Sequence, residues 1–394
     1  MRSRRLLPLV LTILALAPGL ALAAGWSAVP LPHDTGLGAV SCTSSRWCMA
    51  LGGWDNTYVV GQWTGTRWLV SARGPNPKGA DVTAVSCRSR SSCVAVGGLF
   101  PRESRPVDPL VETWNGHRWS AQTAPKPAPP KGYRATNAQL DAVACPGAKL
   151  CFAVGQEVPF GAGNAPGVPL IERWNGSRWT LVDGPTAGSP LTSISCPSTR
   201  VCIAVGGFEH TTGTANANNQ QLEYPNVVEF WNGRSWSLGS VSLPSGMVGA
   251  GLLGVSCAQV SKCLAIGNGF DPAPGYAPGN DGGNDQAIAA AGNRTTFSAS
   301  ALAFPPSVYR SPSAAGTATT VLTTLSCATA TSCAAVGNYV ATNGAIGPLA
   351  ATWNGSTWDQ IALRRGPVQL SAVSCPTPQW CMAVGGDIAE RWTG

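Results

Sequence analysis

The spacing of the cysteines constrains the fold of this chain more than any other feature of its sequence. Fourteen cysteines form seven pairs, and five residues separate the two members of every pair. The first cysteine of a pair ends a short apolar stretch and the second begins another, as in residues 191–196 and 202–206. The pairs are Cys42/Cys48, Cys87/Cys93, Cys145/Cys151, Cys196/Cys202, Cys257/Cys263, Cys327/Cys333 and Cys375/Cys381. A unit that returns every 45 to 70 residues indicates a repeat protein.

The second half of each repeat has its own signature. A third apolar stretch ends in Trp, an Asn-Gly turn follows, and a fourth stretch is marked by another Trp, as in residues 171–179. Asn-Gly at the centre of the turn is typical of a two-residue β-hairpin. The fifth repeat keeps only Gly292 and Phe297 of this pattern. Four short strands per repeat, joined by turn residues, predict the blade of a β-propeller.

The two ends of the chain complete the count of blades. Residues 390–394 stop in the middle of the Trp hairpin, and residues 25–27 supply the missing fourth strand. We therefore predict an all-β, seven-bladed β-propeller with four antiparallel strands per blade. The N-terminal strand is expected to complete the last blade, so that the closed ring leaves no exposed sheet edge.

We interpret the paired cysteines as one hairpin disulfide per blade. Zinc sites usually space their cysteines by two to four residues and need two further ligands. A five-residue gap instead spans a hairpin turn, where facing positions lie near disulfide distance. Disulfides persist in oxidising compartments, so seven of them indicate a protein that is exported from the cytosol.

Residues 1–23 have the pattern of a secretory signal peptide. Arg2, Arg4 and Arg5 precede an apolar run over residues 6–22, and a small-x-small cleavage site ends at Ala23. We expect cleavage after residue 23 and a single propeller domain over residues 24–394. The protein is then secreted and extracellular, without a membrane anchor in the mature chain.

Charge argues against nucleic acid as the partner. Without the three arginines of residues 1–23, the formal charge falls from +7 to +4, and the basic residues are scattered along the chain. The excess of Arg over Lys, with abundant Ala and Gly, suggests a bacterial source. We expect a monomer.

The repeat resembles the Kelch motif of galactose-oxidase-like propellers. Both have an apolar strand ending in Gly-Gly, a variable loop, a Val-Glu strand and a Trp after a turn, as in residues 205–207 and 227–236. The paired cysteines are similar to those of Trp- and Cys-rich repeat proteins that actinobacteria secrete. Galactose oxidase activity is not implied, because its copper site needs several His and Tyr ligands and this chain has three His. We expect no cofactor.

Strand order predicts which face of the ring binds a ligand. In a four-stranded blade, the first and third turns lie on one face, and all of these turns are short. We call this the short-turn face. The second turn and the connection to the next blade lie on the opposite, long-loop face, where residues 101–109, 156–168, 208–224 and 268–285 form long loops. Loops on a rigid scaffold carry function, so we predict binding on the long-loop face.

Aromatic residues recur where these long loops begin. The candidate ligand-binding residues are Trp54, Phe100, Phe208, Phe270 and Tyr339. Such rings stack on sugars or on the side chains of a partner protein. The alternative is that they fill gaps between neighbouring blades.

The loop over residues 268–285 is also a calcium candidate. Asp271, Asp281 and Asp285 supply oxygen ligands within a Gly-rich segment. Their spacing matches no defined calcium loop, which favours a polar loop without a metal.

No motif predicts a catalytic residue. Carboxylates occur in or near the long loops, at Asp55, Glu103, Asp108, Glu157, Glu209 and Asp271, but sequence does not show whether any two converge. We therefore predict a secreted, non-catalytic recognition module that binds a glycan or a surface protein through the long-loop face. The alternative is a secreted carbohydrate-active enzyme, a hydrolase or lyase, that uses loop carboxylates.

Overall fold

A computed structural model describes residues 25–32, 35–54, 57–71, 79–100, 105–162, 167–185, 189–207, 227–247, 249–272, 283–303, 319–341, 344–363 and 368–394. Within these ranges the chain forms 29 β-strands. None of the described segments is an apolar helix of membrane-spanning length.

The strands group into seven sheets, the blades, which we number from the N-terminal end. After β1 (Gly25–Val29), blades 1 to 4 have four strands each. Their strands are β2 (Leu37–Ser44), β3 (Trp47–Trp54), β4 (Thr57–Trp63) and β5 (Trp68–Ser71); β6 (Ala80–Ser89), β7 (Ser92–Leu99), β8 (Asp108–Trp114) and β9 (Trp119–Gln122); β10 (Thr136–Gly147), β11 (Leu150–Pro159), β12 (Val168–Trp174) and β13 (Trp179–Leu181); and β14 (Leu191–Ser198), β15 (Val201–Gly206), β16 (Val227–Trp231) and β17 (Trp236–Leu238).

Blades 5 to 7 follow the same plan with two variations. Their strands are β18 (Ser240–Ser242), β19 (Gly249–Gln259), β20 (Lys262–Pro272), β21 (Gly283–Gly292) and β22 (Thr296–Ala301); β23 (Thr319–Thr329), β24 (Ser332–Val340), β25 (Ile346–Trp353) and β26 (Trp358–Ala362); and β27 (Ala372–Thr377), β28 (Trp380–Gly385) and β29 (Ile388–Thr393). In blade 5, β18 is a fifth strand that pairs parallel with β22.

The predicted closure of the ring is confirmed. Strand β1 pairs antiparallel with β29, from Gly25 opposite Thr393 to Val29 opposite Ala389, and so completes blade 7. The first strands of the blades contact one another in cyclic order, with β27 against β2. The fold is a seven-bladed propeller in which the first and last described strands share one blade.

The core is divided into seven apolar layers, one between each pair of neighbouring blades. Within blade 2, for example, Leu110 packs in the layer shared with blade 1 and Val111 in the layer shared with blade 3. Strand alternation places successive side chains in different layers, so each blade is apolar on both faces. The hairpin tryptophans belong to these layers, as Trp63 and Trp119 show.

The seven disulfides are also confirmed. Each cysteine is bonded to the partner six positions away, and none of the described cysteines is free. In blades 1, 2, 5 and 6 the two cysteines also lie directly opposite each other in the strand register, as Cys42 and Cys48 do on β2 and β3. Each disulfide therefore holds one hairpin and crosses no blade boundary.

Blades 3, 4 and 7 differ from the prediction that the two cysteines face each other in the hairpin ladder. The register of their first hairpin is interrupted at the disulfide, so it gives no ladder partner on the first strand to Cys151, Cys202 or Cys381. The physical reason is the residue after the first cysteine, a proline without an N–H for the ladder bond: Pro146, Pro197 and Pro376. The Cα atoms of the bonded cysteines still lie 4.0–4.1 Å apart. In these blades the disulfide holds the hairpin at the point where the backbone pairing is interrupted.

The glycine that ends the apolar stretch of each second strand is required by close packing. The first strand bulges at this point, for example between Leu37 and Ala39, and brings a carbonyl oxygen against the glycine. A Cβ atom would overlap that carbonyl in every blade, which is why the apolar stretch ends in Gly. The seven glycines are Gly52, Gly97, Gly155, Gly206, Gly267, Gly337 and Gly385.

The Trp hairpin turns differ from the predicted two-residue Asn-Gly turn. In blade 3 the backbone N–H of Asn175 donates to the carbonyl of Arg178, so the central residues are Gly176 and Ser177. The Asn175 side chain stands before the turn and accepts hydrogen bonds from the N–H groups of Ser177 and Arg178. The side chain of Asn175 thus forms an Asx turn. Gly176 adopts the positive φ of 98° that the turn requires.

A belt of serine hydroxyls ties the blades together. The residue before the first cysteine of a blade accepts a hydrogen bond from the backbone N–H of the first cysteine in the next blade. Six of these bonds form, with accepting oxygens on Ser41, Ser86, Ser195, Ser256, Ser326 and Ser374. Blade 3 has Ala144 at this position, so its junction with blade 4 lacks the bond.

We expect Ser326→Ala to lower the free energy of unfolding by about 1 kcal/mol, because it leaves the N–H of Cys375 without its acceptor. The matched variant Ala144→Ser places a hydroxyl beside Cys196 and should raise stability by about 0.5–1 kcal/mol. Denaturant unfolding of both variants measures the difference. Equal midpoints for wild type and Ser326→Ala would show that the belt does not contribute.

Candidate functional site

The five predicted aromatic residues differ in their structural environment. Phe208 and the side chains of Trp54 and Phe270 lie outside the described residues. Tyr339 on β24 is half-buried and packs against Gly347 on β25. A Cβ atom added to Gly347 would lie 2.6 Å from the Tyr339 hydroxyl. The ring also packs against the apolar layer between blades 5 and 6, so it fills space between neighbouring blades. Phe100 is 44% exposed at the end of β7.

Phe100 is held in place although its ring is half in solvent. Its backbone N–H donates to the carbonyl of Gly79 at 2.8 Å, which fixes the start of the loop. The ring lies over Gly98, since a Cβ atom there would be 2.9 Å from Phe100 Cε2 and 3.1 Å from Val107. A fixed, exposed ring can contact a partner with little loss of conformational entropy.

Three further exposed apolar residues on the long-loop face were not predicted from the sequence, and one of them, Ile346 at the start of β25 in blade 6, is 42% exposed. Tyr133, in the connection from blade 2 to blade 3, is 42% exposed, and its N–H donates to the carbonyl of Pro130. Val168, at the start of β12, is 40% exposed. We call Phe100, Tyr133 and Val168 the blade 2–3 surface.

Hydrogen bonds connect the segments that carry the blade 2–3 surface. The N–H of Val107 donates to the side chain of Asn137 at 3.0 Å, and the N–H of Ala138 donates back to the carbonyl of Val107 at 2.9 Å. The N–H of Phe160 donates to the carbonyl of Ala135. Loops from two blades are thus joined into one structure. Beside them, Lys126 forms an ion pair of 2.6 Å with Asp108.

Two of the disulfides are buried in apolar layers between blades. Cys202 is fully buried in the apolar layer between blades 3 and 4, and Cys381 is 3% exposed in the layer between blades 6 and 7. Their sulfur atoms are bonded to Cys196 and Cys375, so both disulfides form part of the packed core.

Four buried glutamates occupy equivalent positions on the third strands of their blades. Glu112, Glu172, Glu229 and Glu390 are at most 1% exposed, and each pairs with an alanine on the second strand. Blades 1, 5 and 6 have Gly61, Ala290 and Ala351 there. The Val-Glu strand resembles the Kelch motif, but the burial of its carboxyl was not predicted from the sequence.

Burial shifts the protonation of three of these glutamates. It raises the pKa of Glu172 and of Glu229 to about 8. It raises the pKa of Glu112 to about 7, against the opposing effect of the neighbouring Tyr58 hydroxyl. Although that hydroxyl is near, no described group meets hydrogen-bond geometry with either oxygen of Glu112, Glu172 or Glu229. At neutral pH Glu172 and Glu229 are therefore largely protonated and Glu112 is about half protonated, each in a different interface between blades.

Another perturbed carboxyl lies on an innermost strand. Asp141 stands at the bulge of β10, where burial raises its pKa to about 6 and a hydrogen bond from Gln139 opposes the rise. At the equivalent bulges of blades 2 and 4, the hydroxyls of Thr83 and Thr192 donate to carbonyls of the next blade, those of Leu140 and Leu252. Asp141 therefore replaces a structural hydroxyl with a titratable group.

The carboxylates proposed for catalysis are dispersed or lie outside the described residues. Asp55, Glu103 and Glu209 are outside, as is the side chain of Asp271. Asp108 is paired with Lys126 in blade 2, and Glu157 is half-buried in blade 3, where burial raises its pKa. The side chains of the calcium candidates Asp271, Asp281 and Asp285 also lie outside the described part of the chain. Among the described residues, no three His, Cys, Asp or Glu side chains are grouped to hold a metal.

Comparison with known proteins supports the fold. No protein-family model matches the chain, and no curated protein matches it in sequence. Among solved structures, "YCF48 bound to D1 peptide" is 13% identical with a TM-score of 0.50, covering 96% of this chain and 99% of that chain. "Structure of U3-55K" is 10% identical with a TM-score of 0.56, covering 94% and 99%. "Streptogramin B lyase structure" is 10% identical with a TM-score of 0.55, covering 94% and 97%. At these identities the similarity shows a β-propeller and not a function.

The buried glutamates predict that stability falls as pH rises. Since the pKa of Glu172 and Glu229 is about 8 in the folded chain and 4.5 for an ordinary Glu, the folded state binds protons more tightly. Their stabilising contribution is complete below pH 4.5 and is lost as pH rises to about 8. Between pH 5 and 7 we expect each carboxyl to lower the unfolding free energy by about 1.4 kcal/mol per pH unit.

Denaturant unfolding of Glu172→Gln between pH 5 and 8 tests this expectation. The variant should have a slope smaller by the contribution of one carboxyl, whereas Asp359→Asn, on an exposed side chain, should keep the wild-type slope. Parallel profiles for wild type and Glu172→Gln would contradict the assignment of a raised pKa to this residue.

Proposed function

We propose that this protein is a secreted binding propeller that recognises a segment of an extracellular partner protein through the long-loop face of blades 2 and 3. The observation that carries this proposal is the blade 2–3 surface. Its three apolar side chains are exposed at 40–44%, two on segments that backbone hydrogen bonds hold in place and Val168 at the start of β12. Fixed aromatic and aliphatic side chains on one surface are the usual anchors of a protein interface.

One structural neighbour supports a peptide or protein as the ligand. The solved structure "YCF48 bound to D1 peptide" is of a chain with a similar fold that holds a peptide. The polar surroundings of the blade 2–3 surface, including Lys126 and Asp108, are typical of an interface rim. Exposed apolar side chains on hydrogen-bonded segments of two neighbouring blades fit a peptide that carries one or two large apolar residues.

Secretion is part of the proposal. Residues 1–23 have the pattern of a signal peptide, and the seven disulfides are consistent with an extracellular protein. The disulfides also make the blades resistant to unfolding in a compartment without cytosolic chaperones.

A glycan is the second candidate, and the exposed rings of Phe100 and Tyr133 favour it. Sugars present apolar faces that stack on such rings. The carbohydrate-active enzyme has less support, because Glu112, Glu172 and Glu229, the glutamates with the highest pKa values, lie in different blade interfaces. Paired catalytic carboxyls need to lie within about 5–10 Å of each other.

Selection of displayed 15-residue peptides on the chain that starts at residue 24 tests the proposal, with a panel of insoluble polysaccharides in parallel. The double variant Phe100→Ala/Tyr133→Ala should weaken binding of selected peptides by about 10- to 100-fold, the loss typical of interface anchors. The matched control Leu69→Ala/Leu181→Ala removes side chains that are 48% and 44% exposed on the outermost strands, and should bind like wild type.

Two results would contradict the proposed partner. Peptide binding that survives the double variant would place recognition elsewhere on the molecule. Binding to polysaccharides that the double variant loses, without selection of any peptide, would assign the same surface to a glycan instead.

A further inference from the structure

A second candidate site lies on the opposite side of the ring. A cavity of about 620 Å³ opens on the short-turn face between blades 5 and 6. Its blade 5 wall comes from the disulfide turn near Ser261 and Lys262 and from Gly292 and Phe297 on the Trp-type hairpin. Its blade 6 wall includes Trp353 and the Cys327–Cys333 disulfide. A volume of this size is in the range of small-molecule sites, about 300–1,000 Å³.

The interface between blades 2 and 3 provides an internal comparison. At the equivalent place it has a cavity of only about 130 Å³, in which Trp174 corresponds to Trp353 of the larger cavity. The blade 5 wall of the larger cavity has smaller side chains than the blade 2 wall of the smaller cavity. Arg88, Thr113 and Trp114 of blade 2 correspond to Ala258, Ala291 and Gly292 of blade 5. The larger cavity thus results from local loss of side-chain volume in a repeated structure.

The largest loss of side-chain volume in blade 5 is at position 292. In each of the other six blades the residue opposite the second cysteine is Trp, whereas Gly292 stands opposite Cys263. In blades 1, 2 and 6 the indole N–H donates to the carbonyl of the third residue in the disulfide turn. Blade 5 supplies no indole from position 292. Phe297 packs over Gly292, since a Cβ atom there would lie 2.6 Å from its ring, and fills part of the space.

The chemistry of the lining suits an aromatic group with a polar end. Leu264, Phe297, Trp353 and the disulfide sulfurs provide apolar walls. Hydroxyl and amide side chains lie among the remaining lining residues, and the extra strand β18 adds Ser242, opposite Ser298 on β22. Lys262 is the charged residue of the lining and is exposed at its edge. A planar ring can stack on Trp353, and an acidic substituent can then pair with the ammonium of Lys262.

We propose that the cavity between blades 5 and 6 binds a small planar aromatic molecule with an acidic tail, the ring occupying space that an indole of the chain fills in the other blades. A small molecule fits better than a single side chain of a partner, because the cavity is almost five times as large as its counterpart between blades 2 and 3. The site lies on the short-turn face, so it does not depend on the proposed function of the long-loop face.

Calorimetric titration of the wild-type chain with indole-3-acetate tests the proposal. We expect one site with a dissociation constant of about 0.1–1 mM, an affinity ordinary for a ligand of this size. Ala330→Phe adds a ring at a half-buried lining position and should weaken binding at least about tenfold by filling the cavity. The matched control Ala148→Phe makes the same change at the equivalent residue of blade 3 and should leave binding unchanged.

The charge of the ligand is tested separately. Lys262→Ala should weaken indole-3-acetate about threefold or more, a typical loss for an exposed ion pair, and leave uncharged indole unaffected. Circular dichroism confirms that each variant is folded. The proposal is wrong if the folded wild type binds neither probe at 5 mM, a concentration about fivefold above the weakest expected dissociation constant. It is equally wrong if Ala330→Phe binds like wild type, or if the peptide Gly-Trp-Gly binds more tightly than indole-3-acetate.

Discussion

The pairing of β1 with β29 is the interaction on which the ring depends. Every blade is apolar on both faces, so each one is stable only between two neighbours. Without the five residue pairs from Gly25–Thr393 to Val29–Ala389, blade 7 has three strands and an unpaired edge. The closing strand brings together the two ends of the chain, and the seven apolar layers then form one continuous cycle.

Within the ring, the stabilising contacts that all blades share lie toward one face, and the loops that vary in length lie on the other. Disulfides, Asx turns and the serine belt are concentrated toward the short-turn face, where each repeat has nearly the same structure. The loops on the other face are free to differ in length because little of the shared packing depends on them. Blade 5 is the exception, since Gly292 and Phe297 replace the Trp pair and a cavity opens on the otherwise uniform face. Function is therefore expected where the repeat is least regular.

The sequence predicted the architecture because its signals are local and repeated. The Cys-x5-Cys spacing defined the first hairpin of each blade, and residues 25–27 predicted the closing strand. Contacts between blades were not predictable, because they join residues about 45 to 70 positions apart and repeat spacing alone does not orient them. The Ser86 to Cys145 bond and the burial of Glu172 depend on strand register and blade packing. Tyr133 was missed because a Pro-rich connection has no periodic pattern, and Tyr339 faces Gly347 only once β24 and β25 are paired.

Hydrogen exchange measured by mass spectrometry, on the chain that starts at residue 24 and on one that starts at residue 30, tests ring closure most directly. Removing β1 leaves the outer edge of β29 unpaired and opens the layer between blades 7 and 1. We predict rapid exchange in residues 388–393, weaker loss of protection in blades 7 and 1, and little change in blades 3 and 4. Equal protection of residues 388–393 in the two chains would show that the N-terminal strand does not close the ring.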